Sequence, residues 1–152
     1  MTMPNFIVIG AAKAGTSALY RYLKVHPQVY MSPKKEPHFF SFTEATKHTR
    51  GPGDTIPLAI SDPAAYEAQF DGVTDQIAVG EASPTYLYVP TAAARIAATL
   101  PDVRLIAILR QPVDRAYSAF MHVVRDGREP LRGFSQALAA EQARIADGWG
   151  PI

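Results

Sequence analysis

Phe6-Ile-Val-Ile9, a short β-branched apolar run, passes into Gly10-Ala-Ala-Lys13-Ala-Gly15-Thr16-Ser17 and then into residues that favour helix as far as Lys24. A run of this kind closed by glycine is the pattern of a strand buried on both faces of a parallel sheet. Parallel neighbours cannot be joined by a tight turn, so the chain is committed early to strands linked by crossover helices. Pro27 stops the first helix, because the residue before proline is pushed out of the α region.

The same alternation continues to the end. Gln28-Val-Tyr-Met31 reads as a short strand ending at Ser32-Pro33, Pro63 to Phe70 as a short helix, and Gln76-Ile-Ala-Val-Gly80 as a strand ending at Glu81. The alanine-rich stretch from Thr91 to Leu100 lies between Pro90 and Pro101 and predicts a helix. Val103 to Leu109 gives the strongest strand pattern, Pro112 opens the helix after it, and Phe134 to Ala146 predicts a last amphipathic helix. Residues 41–62, with Gly51-Pro-Gly-Asp54 and little periodicity, are expected to form an exposed excursion. The predicted class is α/β, a three-layer α/β/α arrangement around a central parallel sheet with right-handed crossovers. For 152 residues that implies a single domain.

Fifteen Lys and Arg against 14 Asp and Glu leave a net charge of +1, so nothing calls for a nucleic-acid surface or an anionic membrane as partner. Any anion site must be local. The absence of cysteine excludes disulfides, thiolate metal sites and cysteine nucleophiles, and fits a reducing compartment. Met1 to Asn5 lead directly into the apolar run, without the cationic lead or length of a signal peptide or membrane helix. A cytoplasmic protein is expected.

The glycine-bearing segment lies between a strand and a helix, where backbone N–H groups and the helix dipole together make an anion site. Its glycine spacing is that of a phosphate loop, yet the position after the second glycine is Thr16 and the lysine comes earlier, at Lys13. A nucleoside-triphosphate loop would reverse that order. The strongest strand runs out at Arg110, where a magnesium-dependent kinase would need an acidic residue; Glu81, ending another strand, keeps a weaker metal option open. In the helix after Arg110, Arg115, Ser118 and His122 fall on one side, and Val113, Tyr117, Phe120 and Val124 fall on the other, where they are expected to pack on the sheet. The polar stripe then stands at the carboxyl end of a strand, where open α/β sheets bind ligands.

These segments resemble the sulfotransferase family. Gly10 to Ser17 looks like the family's 5'-phosphosulfate loop, and Leu109-Arg-Gln-Pro-Val-Asp-Arg-Ala-Tyr-Ser118 looks like its 3'-phosphate-binding strand and helix. Lys35-Glu-Pro-His-Phe-Phe40 and Gly80-Glu-Ala-Ser-Pro-Thr-Tyr-Leu87 resemble bacterial members and the domain that modifies heparan-type glycans. Four segments in the right order are far more specific than any one.

The resemblance implies a P-loop-like enzyme that moves a sulfuryl group from 3'-phosphoadenylyl sulfate (PAPS) to a hydroxyl or amine of a small-molecule or glycan acceptor. The other product is adenosine 3',5'-bisphosphate (PAP), and no metal takes part. Lys13 would contact the bridging oxygen of the phosphosulfate, and Ala14, Gly15, Thr16, Ser17 and Ala18 would cradle the 5'-phosphate. Arg110 and Ser118 would hold the 3'-phosphate. Glu36 matches the family's general base, and His122 a histidine near the acceptor that positions substrate or relays a proton. Some relatives carry lysine after the acidic residue of the third segment, where this chain has Ala82. Relatives also continue through a further strand and an adenine-closing loop, so the chain is expected to be the front part of such a domain. A kinase and a non-catalytic nucleotide-binding module remain the alternatives.

Overall fold

The computed structural model describes residues 2–43 and 59–149. Four parallel strands form one sheet in the order β2-β3-β1-β4, with β1 (Phe6–Gly10), β2 (Val29–Met31), β3 (Ala78–Ala82) and β4 (Arg104–Ala107). Helices α1 (Thr16–Lys24), α2 (Pro63–Glu67), α3 (Ala92–Thr99) and α4 (Pro112–Arg125) follow these strands or lie between them, and α5 (Phe134–Ala139) and α6 (Glu141–Ala146) close the described chain.

Alternation along β1 builds two cores, since successive side chains of a strand point to opposite faces. Phe6 and Val8 pack with Tyr20, Leu19 and Leu23 of α1, while Ile7 packs with Phe39, Phe40, Tyr66, Phe70 and Ile96 on the other face. The second core is aromatic. Phe39 stacks on Tyr66 at 4.3 Å, and Phe40 and Phe70 meet Tyr66 edge-on at 5.4 and 5.5 Å. Each such pair adds about 0.5–1.5 kcal/mol beyond the area it buries.

The register of β1 against β3 places Phe6 beside Gly80, and a Cβ on Gly80 would lie 2.3 Å from the Phe6 ring. Only glycine lets that ring lie across its neighbour. Helix starts follow their local chemistry: Asp62 accepts from the Ala65 N–H at 3.1 Å, and Gln111 accepts from the Asp114 N–H at 2.9 Å with Pro112 next in line.

The predicted elements stand where expected, with boundaries moved by one to two residues, but their packing differs in four places. β4, the strongest strand by pattern, is an edge strand with Leu105 more than half exposed; an apolar run reports only what could be covered, and among the described residues no strand pairs with its outer side. The expected apolar stripe of α4 does not lie on the sheet. Val113, Tyr117 and Val124 are exposed, and Phe120 packs on Phe134 at 5.6 Å, so the helix is held by α5 and by Ala119 and Val123. The last helix breaks at Ala140 into α5 and α6, neither of which buries a residue. Of the expected excursion, Ser41 and Phe42 are buried, Phe42 within the aromatic core, and residues 44–58 lie outside the described residues.

Candidate active site

The loop after β1 is held from both ends. The Ala11 N–H donates to Ile108 O and the Ile108 N–H to Gly10 O, each at 2.8 Å, which ties the loop to the chain leaving β4. Gly15 caps α1 with φ 108°, a left-handed conformation that disfavours side chains. Helix α1 has no side-chain cap and no acidic residue in its first turn, and a Cβ on Gly15 would meet nothing within 4 Å. Uncapped N–H groups beside open space suit a phosphate. Arg110 Nη1 donates to Lys13 O at 3.4 Å, which brings the cation that follows β4 to the rim of the same loop, though not into the cleft lining.

A cleft of about 600 Å³ opens here. It gathers Lys13, Gly15, Thr16, Ser17 and Ala18 from the loop, Glu36 from the segment after β2, and Ser118 and His122 from α4. Ala14 belongs to the loop but not to the cleft wall. Arg115 is not brought to it; that side chain lines a separate small cavity between α4 and α6 with Phe134 and Arg144. Helical spacing alone put it beside Ser118, but the turn of α4 that carries Arg115 faces the α5–α6 pair.

The cleft also contains Arg21, Thr85 and Tyr88, which carried no role in the sequence reading. Arg21 could have been found, since it lies one helical turn beyond Ser17 on α1. Thr85 and Tyr88 come from the 3-10 turn after β3, where no spacing rule predicts facing.

Glu36 is ion-paired with Lys35 and lies 3.6 Å from His38 Nε2. Burial pushes its carboxyl up, but the bonds from His38 and Lys35 together outweigh burial and hold it at about 2. As placed, Glu36 is ionised and weakly basic. His38, also missed from the sequence, is buried, with Nδ1 2.9 Å from Thr85 Oγ1. Lys13, Glu36 and His38 have φ of 64°, 63° and 56°, and among the described residues these are the non-glycine positions with positive φ. Backbone strain of this kind persists where surrounding structure over-determines it, and here it gathers around one cleft.

His122 is held through both ring nitrogens. Arg125 Nη2 lies 2.7 Å from Nδ1, and a guanidinium can only donate, so Nδ1 accepts and the neutral ring carries its proton on Nε2, 3.7 Å from Asp126 Oδ2. Burial, then the charge of Lys13, pushes the imidazole below its usual range despite Asp126. In this arrangement His122 offers an N–H rather than a lone pair, which favours positioning an acceptor over accepting its proton.

Glu81 turns away from the cleft. It is fully buried and accepts from Tyr86 Oη at 2.6 Å, Ser83 Oγ at 2.7 Å and Tyr66 Oη at 3.2 Å, so Glu81 does not offer its carboxylate to the cleft. Burial pushes its carboxyl up to about 7 from an ordinary 4.5, against the lowering effect of the three hydroxyls. Between those two values the native state keeps a proton that the unfolded chain has released, so stability falls as pH rises, by on the order of 3 kcal/mol. Glu36 acts in the opposite sense: its contribution is complete above the ordinary carboxylate pKa and is lost as pH falls toward 2. Urea unfolding from pH 4 to 8 should show the decline in the native protein and a flatter profile for Glu81→Gln; equal slopes would assign the decline elsewhere.

Residues 4–149 match the family model described as Sulfotransferase family. The chain is 32% identical over 151 residues to the membrane-associated sulfotransferase kil1 of Dictyostelium discoideum, covering 97% of this chain and 30% of that protein. It is 37% identical over 120 residues to heparan sulfate glucosamine 3-O-sulfotransferase 3B1 of Homo sapiens, covering 78% of this chain and 26% of that protein. The crystal structure of a sulfotransferase from Alicyclobacillus acidocaldarius superposes with a TM-score of 0.88 at 47% identity, over 99% of this chain and 62% of that one. The chain thus spans under a third of these two curated relatives and less than two thirds of the solved structure. With a matching model over nearly its full length and a phosphate-type loop facing a carboxylate across one cleft, the chain belongs to the sulfotransferase family.

Proposed function

We propose that this protein contributes the donor site and catalytic carboxylate for metal-free transfer of a sulfuryl group from PAPS to a hydroxyl or amine, with a carbohydrate as the favoured acceptor class. The observation that carries the proposal is the single cleft in which the open first turn of α1 and Lys13 face Glu36, with Ser118 and His122 on a third wall. PAPS supplies an activated sulfuryl group whose leaving group is a phosphate. Gly15 to Ala18 provide N–H donors for the 5'-phosphate, and Lys13 places a cation where charge develops as the leaving group departs. Arg110 and Ser118 are assigned to the 3'-phosphate, which separates this donor from ordinary adenine nucleotides. Glu36 takes the acceptor's proton, and for that its Lys35 contact must loosen when the acceptor enters, since a base works best with a pKa near the working pH. The carbohydrate acceptor is supported by the names of the heparan sulfate relatives.

The same proposal covers the domain. Leu105, Leu109, Val113, Tyr117, Leu138 and Ile145 are each more than half exposed, on β4, the turn after it, α4, α5 and α6, more large apolar side chains than one end of a fold usually leaves to water. The described residues are then the donor-binding part of one sulfotransferase domain, and further elements of that domain cover this face. Among the described residues no helix is long and apolar enough to cross a membrane; a cytoplasmic setting is part of the proposal and rests on composition.

Calorimetric titration with PAP and with ATP–Mg tests the donor assignment. PAP should bind, and Arg110→Ala should weaken it by roughly tenfold to a hundredfold, the range of one or two charge-assisted hydrogen bonds. Binding of ATP–Mg with no response to PAP would replace the reading with a kinase.

A further inference from the structure

The segment that carries Glu36 is stapled to the end of β3 through alternate backbone N–H groups. Glu36 N–H donates to Ala82 O at 3.0 Å, His38 N–H to Ser83 Oγ at 3.1 Å, and Phe40 N–H to Tyr86 Oη at 3.4 Å. The second and third acceptors are side-chain hydroxyls, and both donate their own protons to one carboxylate: Ser83 to Glu81 Oε2 at 2.7 Å and Tyr86 to Glu81 Oε1 at 2.6 Å. In its ionised form, which prevails above about pH 7, the carboxylate only accepts, so it commits both hydroxyl protons to itself and leaves the oxygen lone pairs for the loop N–H groups. Tyr66, on α2, is the third donor to Glu81 and makes no bond to the loop.

We propose that Glu81 is a positioning residue for the catalytic carboxylate: by orienting the Ser83 and Tyr86 hydroxyls it holds residues 36–40 in the left-handed turns that place Glu36 at the cleft with His38 buried behind it. A loop with φ of 63° at Glu36 and 56° at His38 does not hold itself, and the two staples at and just after the second of these turns converge on this one buried group. Glu81 does not line the cleft, and neither do Tyr66, Ser83 and Tyr86, the hydroxyls that bond it, so its effect on chemistry is indirect, through the loop those hydroxyls hold. The inference rests on Glu36 as the base, but its first readout does not.

The test uses the full-length protein with Glu81→Gln, which keeps the shape but offers an N–H where a hydroxyl proton now points, and Ser83→Ala, which removes one staple. Amide hydrogen exchange should show protection at His38 and Phe40 lowered by roughly tenfold or more in Glu81→Gln, and at His38 in Ser83→Ala. The Ser32 amide, bonded to Gly80 O at 2.8 Å one step earlier along the same edge of β3 and with no link to Glu81, should stay within about twofold. Unchanged protection at His38 and Phe40, or equal loss at Ser32, would overturn the proposal. In turnover assays kcat should fall roughly tenfold with PAP affinity within about twofold; parallel loss of both would mean general loosening. If the native protein transfers no sulfuryl group, the functional reading fails while the exchange data still decide whether Glu81 holds the loop.

Discussion

Turnover by a Lys13→Gly variant of the full-length protein falls by roughly two to three orders of magnitude, while PAP affinity changes far less. Charge on the bridging oxygen grows only as the bond to sulfur lengthens, so a cation there stabilises the transition state more than the bound donor, and the loss appears in kcat. Lys13 lines the cleft and lies close enough to His122 for its charge to lower that imidazole's pKa, which places a positive field over the reacting region. Glycine is the informative replacement because Lys13 has φ 64°, where alanine adds backbone strain of its own. Steady-state kinetics on Lys13→Gly and Lys13→Ala separate the two effects: equal losses assign the defect to the ammonium group. A raised KM with unchanged kcat would make Lys13 a ground-state anchor only.

Glu36→Gln should cost roughly 10²–10⁴-fold in kcat, the usual contribution of a positioned general base, with PAP binding intact. The pH profiles carry a sharper expectation. Glu36 sits at about 2 in the free protein, so kcat/KM should show no acid limb from this group near neutrality. The acid limb of kcat, which reports the complex, should lie higher, because the acceptor displaces Lys35 and leaves the carboxylate less well compensated. Coincident acid limbs in both profiles would mean that the Lys35 pair persists through the reaction, and a Glu36→Gln variant with near-native kcat would remove Glu36 from the chemistry.

Local chemistry made most of this legible. Prolines at positions 27, 90, 101 and 112 bracket helices where the structure has them, and the glycines of the first loop mark the turn that leaves α1 uncapped. What did not show was anything decided by a neighbour. The apolar run of β4 reads as a buried strand, yet edge position leaves Leu105 exposed. His38 stood inside a quoted motif without a role, because a histidine between Thr85 and Glu36 exists only once residues some 45 positions apart meet, and Glu81 was read only as a weak metal option, since spacing along a strand does not show that its side chain turns inward to the Ser83 and Tyr86 hydroxyls. Arg115 shows the converse: a helical wheel gives a side, and packing decides what that side faces.

The Phe6 and Gly80 pair reaches further than local packing. Because side chains alternate along a strand, sliding β1 by one position past β3 would turn Ile7 and Val8 into each other's layers, and the aromatic ring that fits only over a bare α-carbon forbids that slide. The loop assigned to the donor phosphate departs from one of these strands, and the turn bonded to the Glu36 segment departs from the other. A single missing methyl group, inside the sheet and outside the cleft, therefore keeps the first loop and the turn after β3 in register with each other.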